Sequence, residues 1–407
     1  MAPINLNKRV IWGLIAILIL AGVDFVLWTW PWAYTVAVSE ISTRRSMANA
    51  AATYIPLEIV RGEYRPLPRA TELDQIPDLA AAKAIADKFY SYSLLIWHHG
   101  KIISENYAQG ATLESQGQSA SMHKSVLAIL IGAALNDGLL PSLEVPIGNY
   151  IQEWANDARG QITLRQTLEM STGLKPFSRF SGIFSEKERF VAGLWHESLI
   201  LDRPTQTLPG SNFVYLNINS QLAGMVLQNA VKQRYAEYLS EKIWKPLGAS
   251  DAYVWPYLPN GMARTYTSLF ARAEDWLRIG IMLKDHGQFE GRQIVPDEWI
   301  DAMIKPSPHN PNYGLHIWLA SPLLKERWYD DPVPGTGILT GEEWLDPGIF
   351  FLDGSGGQRV YVSRAEDLVI VRLGITYGGW DDSALPNAVI RALRATKSVQ
   401  QLVQVPR

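Results

Sequence analysis

Residues 121–140 read SMHKSVLAILIGAALNDGLL, and the way this stretch folds decides the rest of the chain. From Val126 to Leu135 it is apolar on every side, which predicts a helix buried within a domain and not one lying on its surface. Asp137-Gly138 then supplies a stop signal. Residues three apart on a helix share a face, with Cβ atoms about 5–6 Å apart, so Lys124 would sit beside Ser121. An unperturbed serine is a poor nucleophile and needs a neighbouring base. Free N–H groups and the dipole at a helix start favour negative charge on the Ser121 oxygen. A lysine flanked by Met122, Val126 and Leu127 would be partly desolvated, which lowers its proton affinity toward the working range. An N-cap serine followed by a solvated lysine would look the same in isolation, so the remaining groups must come from elsewhere in the chain.

On either side of this helix the apolar period changes. Helices are predicted over Leu79 to Tyr90, Gln161 to Met170, Glu186 to Trp195, Ile218 to Leu239, Ala273 to Lys284, Pro296 to Met303 and Leu385 to Ala395. Strands are predicted over Ser93 to Trp97 and Ile102 to Tyr107, joined around Gly100, and again over Gly348 to Leu352, Arg359 to Ser363 and Leu368 to Ile375. Strands near both ends with helices between them imply an α+β fold: one antiparallel sheet of N- and C-terminal segments, flanked by helices, with an inserted helical region. The cleft between sheet and insertion would hold the start of the Ser121 helix.

A serine beside a lysine still needs a proton carrier and an oxyanion site. Tyr215-Leu216-Asn217 is a Tyr-x-Asn whose two polar side chains face the same way if the segment is extended. The phenol could exchange protons with Ser121 if Lys124 lowers its pKa, while Asn217 holds Lys124 or a substrate carbonyl. A buried tyrosine followed by a loop-capping asparagine is the structural alternative. In Gly354-Ser355-Gly356-Gly357-Gln358 the glycines would let a backbone N–H approach a developing oxyanion together with the N–H of Ser121, although a hairpin turn explains them equally well.

With these pieces in order the chain resembles the serine β-lactamase-like family: class C β-lactamases, penicillin-binding carboxypeptidases, family VIII esterases and 6-aminohexanoate-oligomer hydrolases. The resemblance runs from about Asp87 to Ala395 and is carried by LLIWHHGKIISENYAQG, SMHKSVLAILIGAALNDGLL, ITLRQTLEMSTGL, PGSNFVYLNINSQLAGMVL, IWKPLGA and GSGGQRVYVSRAEDLVIVRLG. It implies a β-lactamase/transpeptidase-like fold, with Ser121 as acylated nucleophile, Lys124 and Tyr215 as acid/base pair, Asn217 completing the second motif, and Ser355, Gly356, Gly357 and Gln358 at the substrate or oxyanion side. It implies no metal and no organic cofactor. The family's third motif, a Lys-Thr-Gly that receives a substrate carboxylate, is replaced by Leu352-Asp353-Gly354-Ser355, and an aspartate there would repel that carboxylate. GSGGQ is closer to the 6-aminohexanoate-oligomer hydrolase branch, some members of which use an extra tyrosine before Tyr-x-Asn for amide cleavage. No tyrosine lies between Tyr150 and Tyr215, so ester hydrolysis is easier to defend than amide hydrolysis.

Composition narrows the alternatives. A net charge of −3 over 407 residues, with no basic stripe, disfavours nucleic acid as a partner. The absence of cysteine removes disulfides, thiol nucleophiles and Cys-based metal sites. Among seven histidines His98-His99 is the close pair, and strand neighbours point to opposite faces, a poor chelate. No HExxH, GxSxG, GxGxxG or Walker pattern occurs.

Lys8-Arg9 precede Val10 to Trp30, a run of about 30 Å as a helix and hence long enough to cross a bilayer, followed by the aromatic residues Trp28, Trp30, Trp32 and Tyr34. The domain plan is therefore a short cytoplasmic segment 1–9, a transmembrane signal-anchor 10–30, a tether 31–72 and a hydrolase domain 73–407. A cleaved signal peptide is the rival for the N-terminal run. In a bacterium the chain would be a single-pass inner-membrane protein whose catalytic domain is periplasmic, with the lipid bilayer and a small ester or amide as its partners. The expected activity is hydrolysis of an ester or amide of a small carboxylic acid. The alternatives are a D,D-peptidase or β-lactamase and, from another class, a non-catalytic membrane-tethered binding protein.

Overall fold

The computed structural model describes residues 8–29, 51, 54, 57–74, 76–177, 186, 189–190, 196–327, 337–376 and 378–403. Its main elements in chain order are α1 (Ala80–Lys88), β1 (Ser91–His98), β2 (Lys101–Tyr107), α2 (Met122–Asn136), α3 (Asn217–Val231), α4 (Ala273–Lys284), β3 (Trp318–Leu319), β4 (Phe350–Gly354), β5 (Gln358–Ser363), β6 (Leu368–Gly374) and α5 (Ala384–Val403). The strands form one antiparallel six-stranded sheet in the order β2-β1-β6-β5-β4-β3. The N-terminal hairpin thus pairs directly with the last strand, as Leu95 opposite Val371 illustrates. The α+β arrangement expected from the alternating periods is the one observed.

β1 is buried at every position but its last, which means that both sheet faces are covered. Its odd and even residues divide between two cores: Leu95 and Trp97 pack with α2 and α4, whereas Leu94 and Ile96 pack with α1 and α5. α4 approaches closely because Gly280 lies on Val369, where a Cβ would come within 2.4 Å of a valine methyl. The helical insertion grows on the α2 side. A second, four-stranded sheet of Glu58–Val60, Ala252–Val254, Leu269–Ala271 and Gly117–Gln118 leads the chain into α2.

Several expected boundaries move for local reasons. The helix predicted over Ile218 to Leu239 is two, Asn217–Val231 and Tyr235–Leu239, broken where Lys232 adopts a left-handed conformation. That predicted over Gln161 to Met170 shrinks to Leu164–Leu168, because Thr163 and Gln166 form a capping box that starts it late. The helix expected over Glu186 to Trp195 falls largely outside the described residues. His98 and His99 do not diverge: His99 turns left-handed at the hairpin, and the rings lie 3.9 Å apart, centroid to centroid.

The N-terminal expectation needs correction. A helix does form at Lys8–Thr29, yet no helix among the described residues is long and apolar enough to cross a membrane. The transmembrane signal-anchor is therefore set aside, and the outward placement that rested on it loses its basis. Within the stretch expected to be a tether, Glu58–Val60 pairs with Ala252–Val254, and the Leu67 N–H donates to Glu274 at 3.0 Å.

Candidate active site

The chain enters α2 through a strained turn. Ser119 is stitched to Leu269 by two hydrogen bonds, its N–H donating to the Leu269 carbonyl at 2.9 Å and its hydroxyl accepting from the Leu269 N–H at 3.1 Å. Ala120 follows at φ +46°, a left-handed conformation that a residue with a Cβ adopts only when its surroundings enforce it. Ser121 comes next as the N-terminal boundary residue of α2, and its hydroxyl makes no capping hydrogen bond. That disposes of the N-cap alternative. The hydroxyl instead lies 2.7 Å from Lys124 Nζ, which also donates to the Tyr266 carbonyl at 2.9 Å.

Burial sets the basicity of this amine. Lys124 is 1 % exposed, and desolvation brings its pKa down from 10.5 to about 7, while the charge of Asp353 pulls weakly the other way. The lysine therefore titrates in the range a general base needs. Tyr215 reaches the same oxygen from the segment before α3, anchored by Val214 N–H to Met170 O at 2.8 Å, and its phenol is hydrogen-bonded with Ser121. Its ring carries Lys124 Nζ 5.0 Å from the centroid. Contrary to the sequence-based expectation, the Tyr215 pKa is raised and not lowered: burial dominates, Asp353 adds to it, and Ser121, Arg327 and Arg359 oppose it. The phenol thus remains a protonated donor while the amine carries the titration.

Asn217 begins α3, half-buried, and its amide makes no hydrogen bond with any described residue. The group holding Lys124 is the Tyr266 carbonyl and not Asn217. α3 itself is locked to the segment before Tyr266: Gln221 donates to Ala263 O at 2.9 Å and accepts from Thr265 N–H at 3.2 Å.

The glycine-rich segment is a hairpin turn. Gly354 pairs with Gln358 across Ser355-Gly356-Gly357, with φ near +80° at both turn glycines. Gly354 does approach the nucleophile turn, since a Cβ there would lie 2.4 Å from Ser119 O. Gly356 and Gln358 are engaged elsewhere: Gly356 O accepts from Arg372 at 2.7 Å, and the Gln358 amide bonds both backbone groups of Gly374. Ser355 is exposed at the tip.

Asp353 does not stand as a bare charge. It faces Arg359 across the β4–β5 pair and bonds both that guanidinium and Arg327 Nη1, the latter at 2.8 Å. Asp382 closes the ring, with Arg327 at 2.7 Å and Arg359 at 2.8 Å. All four side chains are nearly inaccessible and their charges cancel, so the repulsion expected from Asp353 is replaced by a neutral, ion-paired wall. The placement of Asp353 and Arg359 symmetrically about a glycine turn was a readable signal of cross-strand pairing. Arg327, Tyr266, Tyr313, His316 and Trp318 carry no such local signature. Tyr313 and Trp318 nevertheless wall Tyr215, with ring centroids 6.0 and 5.9 Å away.

Comparison with known proteins identifies the fold and the family. A curated 6-aminohexanoate-dimer hydrolase of Paenarthrobacter ureafaciens is 21 % identical over 272 residues, covering 63 % of this chain and 69 % of its own length. A structure from Bacillus anthracis assigned as a 6-aminohexanoate-dimer hydrolase superposes with a TM-score of 0.65 at 19 % identity, over 89 % of this chain and 95 % of the other. A family VIII carboxylesterase gives 0.58 at 14 % identity, over 82 % and 100 %. The Beta-lactamase family model matches residues 77–392, so the chain belongs to that family and is a hydrolase of the β-lactamase fold.

Proposed function

We propose that this protein hydrolyses an ester or amide of a small carboxylic acid through an acyl-enzyme on Ser121. The observation that carries this reading is a buried amine, titrating near 7, placed 2.7 Å from the Ser121 oxygen. Neutral Lys124 accepts the Ser121 proton as Oγ bonds to the substrate carbonyl carbon. The Ser121 N–H, which has no acceptor among the described residues, receives the developing oxyanion. Collapse of the tetrahedral adduct breaks the bond to the leaving group, to which the Tyr215 hydroxyl passes its proton. The proton on Lys124 then restores Tyr215. Water repeats the sequence in reverse to release the acid. Asn217 supplies its free amide to the substrate acyl group.

The substrate is taken as uncharged next to the scissile bond. Where a carboxylate-binding lysine would stand, Asp353 is consumed in ion pairs, which favours neutral esters over penicillins or D-Ala-D-Ala peptides. The names of the relatives support both ester and amide hydrolysis, and the lack of a tyrosine between Tyr150 and Tyr215 favours the ester. Intact-mass analysis after treatment with a fluorophosphonate tests the assignment. Wild type should gain one adduct on Ser121, and Ser121→Ala should neither label nor turn over a short-chain aryl ester while remaining folded. Labelling at another serine, or wild-type turnover by Ser121→Ala, would overturn it.

A further inference from the structure

His123, the residue before Lys124 on α2, is fully buried and bonded at both ring nitrogens. Nδ1 lies 2.6 Å from the Thr267 carbonyl oxygen and Nε2 2.9 Å from the Tyr235 hydroxyl, with the two rings edge to face and their centroids 5.4 Å apart. A carbonyl oxygen only accepts, so Nδ1 carries the hydrogen and Nε2 accepts from the phenol. Burial, with the Lys124 charge adding to it, brings the His123 pKa down to about 4, so the ring stays neutral and keeps this one tautomer while Lys124 titrates near 7. Burial pushes the Tyr235 phenol the other way, and it remains a donor.

The group that His123 holds adjoins the group that holds Lys124. Thr267 follows Tyr266, whose carbonyl accepts from Lys124 Nζ at 2.9 Å. Successive side chains leave a helix about 100° apart, so two neighbouring residues of α2 grasp two successive carbonyls from different directions. The backbone they hold is strained: Ser268 comes next, left-handed at φ +60°, with its carbonyl accepting from Trp255 N–H at 3.1 Å. Leu269 then makes the double stitch to Ser119. Between Tyr266 and Leu269 one short segment thus meets the base, the residue beside it and the turn that presents the nucleophile.

We infer that His123 is a positioning residue for Lys124: by donating to the Thr267 carbonyl it fixes the segment from Tyr266 to Leu269 against α2, and so sets the carbonyl that holds the amine 2.7 Å from the Ser121 oxygen. Lys124 alone does not do this, because its flexible four-carbon stem lets the amine follow the Tyr266 carbonyl wherever the segment carries it. The His123 ring is rigid and is itself held from the far side by Tyr235. Without it the Thr267 carbonyl loses its donor, and the left-handed backbone at Ser268 is free to relax and take the Tyr266 carbonyl with it.

The inference deepens the acyl-enzyme reading and rests on it only for its kinetic test. Asparagine places its amide nitrogen at the level of Nδ1, within reach of Thr267, whereas glutamine places it at the level of Nε2, toward Tyr235 and past Thr267. His123→Gln should therefore lower kcat for a short-chain aryl ester by about 10–100-fold with KM within about twofold, the scale for a misplaced catalytic group. His123→Asn should recover most of that loss, although it gives up the Tyr235 bond and lowers Tm as much. In the full-length protein with ¹³C-labelled lysine, the Lys124 titration midpoint measured by NMR should fall by about half a pH unit in His123→Gln, because the ammonium loses a well-placed acceptor, and return toward wild type in His123→Asn. ¹⁵N NMR of the wild type should show Nδ1 of His123 protonated and Nε2 bare from about pH 5 to 9. Turnover that falls alike in both variants, wild-type kcat in folded His123→Gln, an unmoved midpoint in that variant or the opposite wild-type tautomer would each overturn the inference. Absence of fluorophosphonate labelling at Ser121 would instead sink the acyl-enzyme reading and leave the midpoint and tautomer tests standing.

Discussion

Replacing Asp353 by asparagine removes one charge from a closed ring of four. Before the change two aspartates and two arginines cancel, with side-chain exposures of 0 % for Asp353, 1 % for Arg359 and Asp382 and 6 % for Arg327. Afterwards one positive charge is left buried and unbalanced, a situation that costs about 3–5 kcal/mol. With an unfolding entropy of about 2.1 cal/mol/K per residue over 407 residues, that corresponds to a fall in Tm of about 4–6 °C. The same change acts on the active site. Asp353 raises the pKa of both Lys124 and Tyr215, so its removal lowers both, and the new positive charge adds to the effect. The acid limb of kcat/KM, set by Lys124 near 7, should therefore move to lower pH. Differential scanning calorimetry together with aryl-ester kinetics from about pH 5 to 9 reads both consequences. Asp353→Asn/Arg327→Gln, which restores neutrality, should recover part of the lost Tm. An unchanged Tm, or an acid limb that stays in place or moves up, would refute the view that the ring is a coupled unit behind the catalytic amine.

The proton relay makes a further prediction: Lys124→Ala and Tyr215→Phe should each slow acylation by at least about 10²-fold, and the double variant should lose little more, because both act on one oxygen. Additive losses in stopped-flow acylation would show two independent functions. Stability should depend on pH through Lys124. The unfolded lysine holds its proton up to about 10.5 and the folded one only to about 7, so unfolding takes up a proton between these values and stability rises with pH across that window. Below pH 7 the folded state carries the whole cost of the buried ammonium, on the order of 5 kcal/mol. Lys124→Met should accordingly raise Tm most below pH 7, with the gain shrinking toward pH 10; a gain independent of pH would contradict the depressed pKa.

The sequence by itself determined the parts whose causes are local. An all-round apolar run predicts a buried helix, and the spacing of Ser121 and Lys124 at its head puts both on one face. The strand-length apolar runs at both ends of the chain specified the sheet, and Tyr215-Leu216-Asn217 placed two polar groups at the start of a helix. Tertiary structure decided the chemistry of those groups. Lys124 is a base because Tyr266, Tyr215 and the neighbouring core exclude water from it, and desolvation depends on what is packed nearby in space. Asp353 reads as a repulsive charge until Arg327 and Asp382, both distant in sequence, close the ion-paired ring around it. The membrane span is the exception among the local readings: the helix expected there forms at Lys8–Thr29, yet no helix among the described residues is long and apolar enough to cross a membrane. Periodicity is a property of neighbours along the chain, whereas pKa and charge balance arise from groups brought together across it, which is why the fold was legible before the site was.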